Sequence, residues 1–183
     1  MKFLRGAGSD TVRRRINRAP SPFFAHSVPW VSTMLGSILP TWIIIASAPV
    51  VPPLGFLAFL AWRQLRPGLL PIWAGLPLGL FDDLYSGQPG GSAVLLWSIA
   101  ALVLELVETR FPWRNFVTEW LVAAAMIASY IVFSLVIANL AGASTSLVVI
   151  VPQIVVSILC YPLIGRVVAM LDRMRLTPIM ELR

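Results

Sequence analysis

The chain has 183 residues, of which 58% are hydrophobic and only 12% charged, with a formal net charge of +6 at pH 7. Long uncharged apolar runs exclude an ordinary soluble domain and mark a polytopic α-helical membrane protein. The 14 basic residues sit in short segments flanking those runs, which reads as a topology signal and excludes a nucleic-acid-binding face.

Residues 1–27 are polar and basic, with Arg13, Arg14 and Arg15 in a row and no apolar core before Val28. This is not the layout of a cleavable signal peptide. A cytoplasmic tail is expected, suited to lie against anionic lipid at about 1 kcal/mol per basic residue.

Residues 27–62 carry no charge. A single span needs roughly 20 residues, and Ala48-Pro49-Val50-Val51-Pro52-Pro53 interrupts the run with helix breakers. Two passes are expected, at residues 28–48 and 52–62, the second short enough to tilt, to thin the bilayer or to be buried in protein. Arg63 and Arg66 mark the return to the cytoplasmic side. A third pass, residues 69–81, carries Pro71 and Pro77 and ends at Asp82 and Asp83. Gly87, Pro89, Gly90 and Gly91 form the next turn, and the fourth pass covers residues 92–106. Glu105, Glu108, Arg110 and Arg114, with Pro112, form a solvated charged loop. The fifth pass covers residues 116–140, a small-residue loop 139–146 follows, and the sixth pass covers residues 147–168.

With six passes and the N-terminus inside, the 14 basic residues fall in the tails, in the loops after passes two and four or, as Arg166 does, at the cytoplasmic end of the sixth pass. Merging the first two passes would put Arg63 and Arg66 opposite the N-terminal cluster, so the positive-inside rule favours six. Trp30, Trp62, Trp73, Trp113 and Trp120 fall near the cytoplasmic ends, as an interfacial aromatic belt would. The expected fold is an all-α membrane protein, a six-transmembrane-helix bundle with both termini cytoplasmic. A tail at 1–27, a membrane domain at 28–172 and a second tail at 173–183 complete it.

Cys160 is the only cysteine and His26 the only histidine, which excludes an intrachain disulfide and a Cys/His zinc site. Asp82 and Asp83 are the only acids between Arg66 and Glu105, and a carboxylate at mid-bilayer costs roughly 2.5–3.5 kcal/mol on insertion scales. Three readings stand side by side: the pair caps the following turn or is solvated, one carboxylate points into the bundle, or the two form a catalytic dyad. The dyad is disfavoured, because adjacent helical residues point about 100° apart. Gly75 and Gly79 have the four-residue spacing of closely packed membrane helices, more simply an internal contact than a dimer face. The Gly87–Gly91 turn lacks the lysine of a nucleotide loop and reads as a rigid corner. Pro152, Gln153 and Ser157 read as a kink with internal polar contacts. No nucleophile–base pair or cofactor loop is present, so neither catalysis nor a cofactor is expected.

Gly75, Gly79 and Asp82, followed by Ser86, Gly87, Pro89, Gly91, Ala93 and Leu95, resemble the central motif of the rod shape-determining MreD family. The resemblance implies a non-enzymatic inner-membrane component of the bacterial cell-elongation machinery. Its partners would be MreC and, through it, MreB, RodA and the penicillin-binding transpeptidase, with membrane lipid around it and homo-oligomerisation left open. It also implies a fold similar to the six-helix substrate-binding subunits of energy-coupling-factor vitamin transporters. Gly75, Gly79, Asp82, Asp83, Ser86, Gly87, Pro89 and Gly91 are the candidate interaction or structural residues. The alternative is a membrane-embedded, vitamin-type small-molecule binding subunit of a transporter, which requires a polar pocket at the outer end.

Overall fold

The structure is a computed structural model that describes residues 22–43, 50–110 and 115–175. Among these residues it is all-helical, with α1 (Pro22–Ile43), α2 (Leu54–Leu65), α3 (Gly75–Tyr85), α4 (Ser92–Arg110), α5 (Phe116–Leu140) and α6 (Leu147–Arg175). A 3-10 turn, Ile72–Ala74, leads into α3. Three helices, α4, α5 and α6, are long and apolar enough to cross a membrane.

The shortness of the second apolar run has a structural cause. α2 reads Leu-Gly-Phe-Leu-Ala-Phe-Leu-Ala-Trp before its first polar residue. A helix that is apolar all round must be surrounded, and residues 55–64 are all buried. Its main neighbours are α1 and α6, with smaller contacts to α4 and α5. At 1.5 Å per residue α2 is only about 18 Å long, short of the roughly 30 Å of a hydrocarbon core. It is the inner element, surrounded by protein along its length.

Small residues let α1 reach it. A Cβ added to Gly36 would lie 3.0 Å from Gly55 Cα, and one added to Gly55 would collide with Ser37 Oγ. Phe56 then stacks on Tyr130 of α5 with ring centroids 4.1 Å apart, and both Phe56 and Phe59 pack against Trp97 of α4. α4 presents Ala93, Leu96, Trp97, Ala100, Ala101 and Leu104 to this core, a three-to-four-residue repeat.

Local signals set several boundaries. Asn115 caps α5, its side chain accepting from Thr118 N at 2.9 Å. In α6, Pro162 lacks the N–H that would bond Ile158 O four residues back. Trp120 Nε1 of α5 donates to that same carbonyl at 3.4 Å, so the proline break is met from the neighbouring helix.

Some expected boundaries shift. α1 begins at Pro22, so residues 22–27 are helical and run on into the first apolar stretch, and Pro22 fits the first turn because its missing N–H has no helical partner there. α3 runs on to Tyr85, placing Asp82 and Asp83 inside the helix and not after it. α6 continues past 168 to Arg175, where Asp172 pairs with Arg175 one turn on and with Arg66 from the end of α2. The basic N-terminal cluster, Ala48 and Pro49, Pro112 to Arg114, and residues 176–183 lie outside the described residues.

Two interfacial expectations are corrected. Trp62 is fully buried and donates to Ser32 Oγ at 2.8 Å, so it belongs to the core and not to an aromatic belt. Glu105 is not simply solvated, because Arg63, itself buried, reaches across from α2 to bond it.

Candidate functional site

The stretch at residues 75–95 folds as a helical hairpin, α3 against α4. Its closeness comes from the two glycines. A Cβ on Gly75 would lie 2.7 Å from Trp97 O, and one on Gly79 would lie 2.7 Å from Ala93 O, so only glycine permits this approach. The Gly75–Gly79 spacing therefore serves an internal contact. The corner between the helices uses Gly87 at φ 66° and Gly91 at φ 88°, backbone conformations that favour glycine. Pro89 O accepts from Ser92 N at 3.0 Å, which closes the turn.

Asp82 and Asp83 have separate tasks. The buried face of α3 is Gly75, Leu78, Gly79 and Asp82, and a rotation of about 100° turns Asp83 away from it. Asp83 Oδ2 accepts from Gly91 N at 2.9 Å and Val94 N at 3.2 Å, while Oδ1 accepts from Ala93 N at 2.9 Å and Ser92 Oγ at 3.4 Å. These are the orphan donors at the start of α4, where a negative charge also suits the helix dipole. Asp83 is a cap supplied by the preceding helix. The two carboxylates do not converge, so no dyad forms.

Asp82, only 8% exposed, faces a cavity of about 470 Å³. The walls come from α1 (Ser37, Thr41), the residues before and at the start of α2, the end of α3, α5 (Tyr130, Ser134) and α6 (Gln153). Tyr130 Oη donates to Asp82 Oδ2 at 3.4 Å, and Gln88 Nε2 donates to Tyr130 Oη at 3.5 Å. Ser37 Oγ, buried, sits beside the Asp82 carboxylate without completing a well-formed hydrogen bond. Gln153 Nε2 donates to Val51 O at 2.8 Å and ties α6 to the segment entering α2. Ser86 stands on the rim, its N–H donating to Asp82 O.

Of the residues gathered here, Asp82, Ser86 and Gln153 stand out in the sequence, whereas Ser37, Tyr130 and Ser134 do not. A signal was present for Ser37, which adjoins Gly36, and small-residue pairs mark close helix contacts. Nothing local distinguishes Tyr130 from any aromatic in an apolar helix. Among the described residues, no group of three or more His, Cys, Asp or Glu side chains is placed to hold a metal ion.

The opposite end of the bundle holds the charge. Arg63 donates to Leu70 O at 2.7 Å, to Ala101 O at 3.4 Å and to Glu105 Oε2 at 2.9 Å. Beside it Tyr161 Oη donates to Gln64 Oε1 at 2.8 Å, and the Arg175 guanidinium lies 5.8 Å from the Trp62 ring.

Compared with known proteins, the chain matches no protein-family model, no curated protein and no solved structure.

Proposed function

We propose that this protein is a non-enzymatic inner-membrane component of the bacterial cell-elongation complex, a six-pass scaffold of the MreD type with both termini in the cytoplasm. The observation that carries the reading is the hairpin. Within the family-like stretch, Gly75, Gly79, Gly87, Pro89 and Gly91 hold α3 against α4 through the glycine contacts and the corner, and the neighbouring Asp83 adds the cap. The outer face of that unit is apolar, with Leu76, Leu80 and Leu84 at four-residue intervals, all exposed. A stiff hairpin with an apolar stripe suits the membrane segment of a partner, here MreC, through which MreB, RodA and the penicillin-binding transpeptidase would be organised. The Arg63, Arg66 and Arg175 end would face the cytoplasm.

The test is cell width during controlled depletion. Rounding that wild type rescues, and that a Leu76→Trp/Leu80→Trp form inserted at normal abundance does not, supports the scaffold. Loss of MreC co-purification with that form is expected alongside. Unchanged shape on depletion overturns the reading.

A second reading, a membrane-embedded small-molecule binding subunit, is favoured by one observation, the polar-lined cavity around Asp82. Its volume lies within the ~300–1,000 Å³ range of small-molecule sites. Retention of a small ligand through purification is its direct test.

A further inference from the structure

The cavity holds an electrostatic imbalance that the scaffold reading does not use. Among the described residues lining it, Asp82 is the only charged one, and no lysine, arginine or histidine stands opposite. The other acid nearby, Asp83, is occupied by four donors at the start of α4. A buried carboxylate needs a positive or donating partner to offset its desolvation. Among the described residues, Asp82 is met by the long Tyr130 hydroxyl contact and by Ser37 Oγ beside it, both uncharged. The Arg63–Glu105 and Arg66–Asp172–Arg175 ion pairs lie at the other end of the bundle and cannot serve.

The size of the space also bears on the occupant. One carboxylate without a second acid does not make a cage for a bare metal ion. A cavity of about 470 Å³ has room for a molecule and not only for a proton or a water. Its floor includes Leu54 and Gly55, the first residues of α2, and the α2 N-terminus has no side-chain cap. That end of a helix presents free N–H donors and the positive pole of its dipole. A carboxylate on one wall and an uncapped helix start on the floor complement a zwitterion.

We propose that this cavity binds a primary-amine zwitterion of the phosphoethanolamine type, its ammonium held by Asp82, Ser37 and Tyr130 and its anionic group directed to the start of α2. The inference rests on the small-molecule reading of the cavity and not on the scaffold role. The shared chemistry has two sources, the headgroup of an aminophospholipid and a free phosphoethanolamine-like solute.

Binding is measured on the full chain purified in detergent, by native mass spectrometry and by thermal stabilisation. The probes are dihexanoyl-phosphatidylethanolamine, dihexanoyl-phosphatidylglycerol and O-phosphoethanolamine. The amine lipid is expected to bind about tenfold or more tightly than the glycerol lipid, the scale of one charge-assisted hydrogen bond. Asp82→Asn should bring that ratio to about one. Binding of O-phosphoethanolamine at comparable strength assigns a free solute, and its absence beside amine-lipid binding assigns the lipid. A ratio near one in wild type, or a preference that survives Asp82→Asn, overturns the proposal.

Ala138→Phe, which adds bulk at the cavity wall and keeps the carboxylate, is the second variant should Asp82→Asn fail to fold. It should abolish the amine preference, and an undiminished preference sinks the proposal. Two lipids that bind equally and are both displaced by Ala138→Phe leave the small-molecule reading standing and the amine inference wrong. If Ala138→Phe displaces neither, both fall.

Discussion

Arg63 of α2 and Glu105 of α4 meet at 2.9 Å across the inner core, the guanidinium 1% exposed and the carboxylate 42%. The arginine is held at the centre while its partner stands at the margin. Leu70 O and Ala101 O take two of its remaining donors. The central helix is thereby tied to α4 and to the segment that turns into α3, so one side chain orients three parts of the bundle.

Glu105→Gln should therefore destabilise the protein although it alters a half-exposed residue. It leaves a buried guanidinium with carbonyl partners only, at a cost of about 1–3 kcal/mol. Heat-induced aggregation of the detergent-purified protein reads this directly. An unchanged midpoint would mean that the pair contributes nothing to the packing of α2 on α4.

Asp83→Ala should destabilise more than Asp82→Asn. The first removes the cap from α4 and leaves three backbone N–H groups unmet, about 1–2 kcal/mol. The second keeps the shape of the side chain and removes a costly buried charge, so its effect on stability should stay under about 1 kcal/mol in either direction. The same thermal assay ranks the two. The reverse order would contradict the division of labour between these neighbours.

Gly79→Ala and Gly90→Ala test the hairpin from opposite sides. The added methyl at 79 would press on Ala93 O at 2.7 Å, which forces α3 away from α4 at a cost of about 1–3 kcal/mol. At 90 nothing lies within 4 Å and the backbone is not in the left-handed region, so alanine should be neutral or stabilising by up to about 1 kcal/mol. Equal effects at both sites would remove the case for a tight α3–α4 contact.

Orientation is testable by labelling. In a Cys160→Ser background, Gly90→Cys and Ala143→Cys should react with a membrane-impermeant maleimide from outside the cell, and Arg173→Cys should react only after permeabilisation. All three positions are exposed. Labelling of Arg173→Cys in intact cells would reverse the proposed topology.

Much of the helical framework was legible in the chain because its signals are local. The α5 boundaries match residues 116–140, since Asn115 caps one end and a small-residue loop closes the other. The corner at Gly87–Gly91 and the start of α6 follow from residue types whose backbone preferences act within a few positions. The membrane character likewise follows from composition and run length.

The destinations of side chains were decided by tertiary packing. Asp82 and Asp83 are chemically identical neighbours, and only the phase of α3 against α4 sends one to a helix cap and the other into a cavity. Trp62 and Arg63 look interfacial in sequence, yet both are buried because α1, α4 and α6 close around α2. Tyr130 gained its place beside Asp82 through an aromatic stack with Phe56, a residue 74 positions away. A helix forms from contacts three or four residues apart, whereas a site forms from contacts between helices, and their rotation and depth are set only when all of them pack together.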